Sequence, residues 1–326
     1  MISDLKSQIP NPKSQISMAQ TGTVGDKVFR TILFIAAASI LIIVVAMLYM
    51  MVQNSLPTIQ RFGISFLTGR EWKPAQEEFG SLPFIYGTLV SSLIALIISV
   101  PLSLGIAVFL VEQAPKNVAK PISFMVELLA AIPSVVYGLW GIFVLAPFIR
   151  DYLGAFLQTY FGWLPFFQGR LTGIGMLTGG IILALMITPI ITAVVRDVLE
   201  VVPVTQREAA LALGATKWET TKIVLGNAAS GIAGAVVLGL GRAIGETMAV
   251  TMVIGNSPQI SASLFEPANT IASLLAANFA EATDKVYLSA LIEIGLVLFV
   301  VTLIVNALAK LLIISVASGT NSAKHA

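Results

Sequence analysis

Apolar residues fall into six long runs along this chain: Thr31–Val52, Phe84–Val111, Ile122–Ile149, Leu171–Val195, Gly231–Gly255 and Leu288–Ala309. Crossing the roughly 30 Å of hydrocarbon in a bilayer takes about 20 helical residues, and each run is long enough. The second and third exceed that length, which calls for tilt or overhang into the interface. A lipid-facing segment must satisfy its own backbone hydrogen bonds, so the runs are expected to be helical. The pattern predicts an all-α integral membrane protein with six transmembrane helices. Its transmembrane domain is expected over residues 31–315, with a core at 84–309 and a polar cytoplasmic segment at 196–230. Polar tails are expected at 1–30 and 316–326.

Composition supports this class. Of 326 residues, 56% are hydrophobic and 11% charged, against roughly 25% charged in soluble domains. There is no cysteine, and the single histidine, His325, lies in the C-terminal tail. Disulfides, thiolate metal sites and histidine chemistry are therefore excluded, and no catalytic residue or metal site is expected. A net charge of +2, scattered along the chain, does not suggest nucleic acid. With the N-terminus in the cytoplasm, twelve of the 19 Lys and Arg residues fall on that side and six outside, with Arg242 inside a span. That bias favours a multi-pass protein of the cytoplasmic (inner) membrane with both termini in the cytoplasm. Residues 1–26 are polar and lack a signal-peptide apolar core, so the first run reads as a retained span. In this tail Lys6-Ser7-Gln8-Ile9 recurs as Lys13-Ser14-Gln15-Ile16, which fits a disordered extension or a docking motif, and Met18 is a second candidate initiator.

Segment 196–230 has its own local grammar. Thr205 precedes Glu208 by three residues and Thr216 precedes Glu219 by three, so each pair fits a capping box and two short helices are expected. Gly214 falls between them, where a left-handed residue would end the first helix and turn the chain. Ala209, Ala210 and Leu213 would leave a low-relief apolar strip that suits either close approach of another protein or a hairpin lying on the membrane surface.

Glu208-Ala209-Ala210, three residues, then Gly214 resembles the EAA loop of ABC importer permeases, a family with a MetI-like membrane fold. In that family the loop is a coupling helix that enters a groove of the ATPase subunit. The usual continuation differs here: Val224 replaces an Ile, and Gly226 and Asn227 stand where Leu and Pro are common. No Walker-type phosphate loop occurs in the chain, so ATP and Mg2+ would be used by a separate partner and no cofactor would be bound here.

Gly239-Leu240-Gly241-Arg242-Ala243-Ile244-Gly245-Glu246-Thr247-Met248-Ala249-Val250 resembles the signature of PstC-type phosphate permeases. Glu127-Leu128-Leu129-Ala130-Ala131-Ile132-Pro133-Ser134-Val135-Val136-Tyr137-Gly138-Leu139-Trp140 is similar to their third-span motif. The resemblance implies a phosphate permease working with a PstA-type permease, PstB-type ATPases and a PstS-type phosphate-binding protein. It also implies a substrate pathway at Arg242, Glu246 and Thr247. Permeases for sulfate, molybdate or phosphonate, an ion-coupled carrier, and a sensor are the alternatives; no convincing internal repeat supports the carrier.

The charges themselves point the same way. Arg242 and Glu246 are four residues apart, on one face of a helix. Each would cost about 2.5–3.5 kcal/mol unpaired at a span centre, so such charges normally face a bundle interior or an aqueous cavity. They suit an anion path, and equally a pair that neutralises itself and pins the helix. Pro101, Pro133 and Pro189 are placed to kink three spans. Glu127 and Glu293 are expected to snorkel or to hydrogen-bond between helices. Ile271, Leu274, Leu275 and Phe279 recur at helical spacing, as in a short helix lying along the outer membrane face or covering the ends of the spans.

Overall fold

The computed structural model describes residues 24–322, with side chains to residue 311, so the repeat and start-site expectations for the N-terminal tail lie outside the described residues. Among these, six helices are long and apolar enough to cross a membrane. The chain divides into two units, 1–50 and 51–326. α1 runs over Val24–Phe62, starting within the stretch assigned to the polar tail. Its portion in the first unit is almost wholly apolar and exposed, as a lipid-facing helix would be.

The second unit is built around two spans. α2 (Leu82–Val108) is extended by a π turn at Phe109–Gln113. α3 (Lys116–Ala131) is followed by α4, a continuous helix over Ser134–Phe161 with π turns at Gly141–Leu145 and Ile149–Leu153. α5 (Met176–Val201) is the most buried span. A short α6 (Val204–Ala212) precedes α7 (Lys217–Ile244) and α8 (Met248–Val253). α9 (Ile271–Asn278) and α10 (Lys285–Ser322) complete the order, and α10 continues into the predicted C-terminal tail.

α2 lies along α5 through small and hydroxylated residues. Ser91, Ser92, Ser99 and Ser103 are buried, and the Ser103 hydroxyl donates to the Thr188 carbonyl at 3.0 Å. Lipid gives no hydrophobic drive for helices to associate, so close backbone approach and such hydrogen bonds hold them. At Gly87 the approach is extreme, because a Cβ there would stand 2.0 Å from the Asn269 carbonyl oxygen. Gly87→Ala should destabilise the fold by about 1–3 kcal/mol or more, since a backbone group cannot yield as a side chain would. Thermal unfolding in detergent would read this as a lowered midpoint.

α5 serves as a ruler for depth. Arg196 pairs with Glu127 at 2.9 Å, Ile182 lies against Gly141, and Gly173, just before the start of α5, meets the Ala146 carbonyl. The third helix long and apolar enough to cross is α4, Ser134–Phe161, so the predicted run Ile122–Ile149 is displaced: its first part lies in α3, cut off at Ile132–Pro133, and only its second part lies in α4. Likewise Val198 faces Gly231, Ile191 faces Gly239 and Ile254 faces Gly179. The fifth helix long and apolar enough to cross is α7 itself, Lys217–Ile244, so the predicted run Gly231–Gly255 covers only its second half and continues past the break into α8. Of the three span prolines, Pro133 alone breaks a helix, and Pro101 and Pro189 sit inside continuous α2 and α5.

Just before α2, β1 (Trp72–Lys73) and β2 (Glu78–Phe79) form a small antiparallel hairpin. Trp72 sits edge-on to Phe79 and Phe84, at 5.0 and 5.1 Å between ring centroids. α9 is packed into the protein along one side. Its Ile271, Ala272, Ser273 and Leu274 are buried against the start of α10, and the Thr270–Ser273 capping box fixes its first turn. It covers the span ends because both of its faces carry small or apolar residues.

Candidate functional site

The expected pathway residues lie at an interruption of the fifth crossing. α7 ends at Ile244, Gly245 to Thr247 are non-helical, and α8 begins at Met248. Judged against α5, this break is deep in the span, where irregular backbone is tolerated only when it is buried in protein or lines a cavity. Glu246 is inside, with its side chain 7% exposed, and its Oε1 accepts from the Ala249 N–H at 3.3 Å. That bond holds the first turn of α8, where a carboxylate is favoured by the exposed amides. Thr247 begins α8, and its carbonyl accepts from the Thr251 hydroxyl at 2.6 Å.

Arg242 does not close on Glu246 as a tight pair. Nη2 lies 4.0 Å from Oε2, and the Arg242 side chain is 50% exposed. The helix has ended between them, so i,i+4 spacing no longer places them one turn apart. The guanidinium is left free to offer its planar fork of donors to another oxyanion. Around it, Gly234 and Gly241 border open space, and the nearest atom to a Cβ on Gly245 is the Gly241 carbonyl oxygen. α7 therefore presents an unfilled face beside the charge, with the exposed side chain of Leu238 standing between Gly234 and Gly241.

The third-span motif packs onto this break. Gly138 of α4 lies against Ala249 and Met252, and Gly141 lies against Val253. Two interrupted helices, α3/α4 at Pro133 and α7/α8 at Gly245–Thr247, thus meet through their second halves, a contact not readable from either motif alone. Glu127 of the same motif instead pairs with Arg196 of α5. Glu293 is buried, with Oε2 among the unpartnered atoms of the described residues.

Segment 196–230 differs in detail from its prediction. Thr216 caps α7 as expected: its Oγ1 accepts from the Glu219 N–H at 3.3 Å, and Glu219 Oε2 accepts from the Thr216 N–H at 2.7 Å. Thr205 is not a cap. α6 starts at Val204 after Pro203, whose fixed φ already suits a helix start, so Thr205 lies within the first turn. The predicted second short helix is continuous with the fifth span. Gly214 has φ +85°. Gly214 N–H donates to the Leu211 carbonyl at 3.0 Å and Ala215 N–H to the Ala210 carbonyl at 3.1 Å, the pairing of a Schellman turn. Glu208 and Ala209 are exposed, whereas Ala210 is buried. Leu213 is 90% exposed, so the surface carries a protruding knob and not a low-relief strip.

Sequence reading missed what anchors α6. The Arg207 guanidinium donates to Glu112 Oε1 through Nε at 3.1 Å and Nη2 at 2.9 Å. It also donates to the carbonyls of Val202 and Leu199 at 2.6 and 3.0 Å. On the other side, Asn227 Nδ2 donates to Gln206 Oε1 at 2.7 Å. The sole sequence signal was the adjacency of Gln206 and Arg207 to Glu208.

These features define a polytopic helical membrane protein with a broken, charge-bearing span at its centre and a helical turn projecting from one end. The family model described as binding-protein-dependent transport system inner membrane component matches residues 99–316. The chain belongs to that family. It is 47% identical to the phosphate transport system permease protein PstC of Xylella fastidiosa strain Temecula1, over 89% of this chain and 90% of that protein. It is 43% identical to PstC of Mesorhizobium japonicum, over 91% and 92% of the two chains. It is 39% identical to a probable PstC of Methanocaldococcus jannaschii, over 78% and 82%. A solved chain of the MetNI methionine ABC transporter superposes with a TM-score of 0.52 at 16% identity, covering 72% of this chain and 94% of that one. The fold is accordingly the MetI-like one of ABC importer permeases, a class that works with ATPase and binding-protein partners.

Proposed function

We propose that this chain is the phosphate-conducting permease subunit of an ATP-driven importer in the cytoplasmic membrane, with both termini in the cytoplasm. The observation that carries the reading is 43–47% identity to phosphate permeases across about nine-tenths of both chains. The break at Gly245–Thr247 supports it, since Arg242 stands half-exposed beside an unfilled face while the opposing carboxylate is turned to a helix start. Arg242 offers phosphate a transient site. Glu246, within reach of the guanidinium, keeps the anion from being held too tightly, and Thr247 orders the turn that carries both. A conducting site must release what it binds.

The partners in this reading are a PstA-type permease, PstB-type ATPases that bind ATP and Mg2+, and a PstS-type phosphate-binding protein outside. The surface of Glu208, Ala209 and Leu213, ended by the turn at Gly214, meets the ATPase. ATP binding closes the ATPase pair, and the motion passes through α6 to open the path outward. Uptake of labelled phosphate into cells carrying the complete importer should be competed by unlabelled phosphate and not by sulfate, molybdate or phosphonate. Equal competition by sulfate would reassign the substrate, and uptake without the ATPase would remove the importer class.

A further inference from the structure

We propose that Gln206 and Arg207 are the positioning residues through which α6 grips the membrane spans, so that motion of α6 is delivered directly to Arg242. The inference rests on the reading that α6 receives the ATPase stroke, and adds the route the stroke takes inside this chain.

The two residues are neighbours on one helix and reach in different directions. Arg207 binds the end of the second span through Glu112, and the end of the fourth through the Leu199 and Val202 carbonyls. Both charged side chains are largely buried, at 18% and 10% exposed. Breaking such a pair from one side leaves a lone buried charge and is strongly destabilising. The fork geometry also fixes orientation as well as distance, which a lysine would not. Gln206 binds the start of the fifth crossing through Asn227.

α7 then runs without a break from Lys217 to Ile244, 28 residues in all, about 42 Å at 1.5 Å per residue. Asn227 stands where EAA loops commonly carry a proline, so this helix keeps its hydrogen-bond ladder and acts as one rod. Arg242 lies in its last turn. A displacement of α6 held at both ends of this clamp cannot be absorbed locally, and the free end of the rod moves at the site where the path is interrupted.

The test uses the whole importer reconstituted in lipid vesicles with its binding protein and compares phosphate moved per ATP hydrolysed. Arg207→Met combined with Glu112→Leu removes both charges and leaves none stranded. The expected result is a fall in that ratio of about tenfold while ATP hydrolysis continues. A purely structural pair predicts less assembled importer with an unchanged ratio, and that result overturns the proposal. Should the double variant fail to accumulate, Gln206→Ala decides, because Gln206 and Asn227 are exposed: its ratio should fall, and an unchanged ratio overturns the proposal. The unaltered importer is the control. If it shows no ATP-dependent uptake, the importer reading itself has failed, independently of the clamp.

Discussion

Replacing Arg242 by Gln should abolish phosphate uptake while the chain still enters the membrane and assembles. The guanidinium makes one marginal contact, 4.0 Å to Glu246, and is half-exposed. Its loss therefore removes one loose contact from folding, and the buried Glu246 keeps its hydrogen bond from the Ala249 N–H. What it removes is a positive charge beside the broken span, leaving Glu246 to repel an incoming anion. Glu246→Gln is a milder change. The amide oxygen can still accept from the Ala249 N–H, so α8 should start normally, and the expected defect is slower turnover through delayed release. Glu246→Ala adds the loss of that helix-end bond, of order 1 kcal/mol. The double replacement by Gln decides between a path and a structural pair. If it assembles and transports phosphate at the normal rate, Arg242 and Glu246 are not the substrate pathway.

Gly214→Val should uncouple ATP hydrolysis from transport. At φ +85° a β-branched residue is strongly disfavoured, with a cost of about 1–3 kcal/mol for forcing a non-glycine residue there. No atom lies within 4 Å of where a Cβ would be, so the penalty is conformational and not a clash. The turn is expected to relax, moving Leu213 and freeing the Leu211 and Ala210 carbonyls it satisfies, while the six spans remain inserted. Gly214→Asn tolerates the left-handed region and should retain most uptake. The signature is thus a graded series, Gly then Asn then Val, in phosphate uptake at constant membrane level. Equal uptake and equal ATPase association in all three would remove the coupling role from this turn.

Much of this protein was fixed by sequence alone, because the bilayer leaves few choices. A run of about 20 apolar residues in lipid must be a helix that satisfies its own backbone. The number of span-length helices was therefore legible, but the third and fifth runs are offset from Ser134–Phe161 and Lys217–Ile244, because hydropathy does not register the breaks at Pro133 and Gly245–Thr247. Gly214 and the Thr216–Glu219 box were readable because turn and cap preferences act over three or four residues. The Thr205–Glu208 box failed because Pro203 set the helix start two residues earlier, a competing local signal of the same range. Hydrophobic spacing identified α9 but not its burial, since an amphipathic or apolar helix looks alike whether lipid or protein covers it.

The tertiary structure decided where charges meet. Sequence spacing put Arg242 and Glu246 on one helical face; only the folded chain shows that the helix ends between them, so one turns inward to hold α8 and the other stays available. Pairing between Glu112 and Arg207, or Glu127 and Arg196, joins residues 95 and 69 apart in sequence. No local preference encodes such contacts. They arise because a buried charge must find its partner among whatever side chains helix packing brings to the same depth, and packing is a property of the assembled bundle.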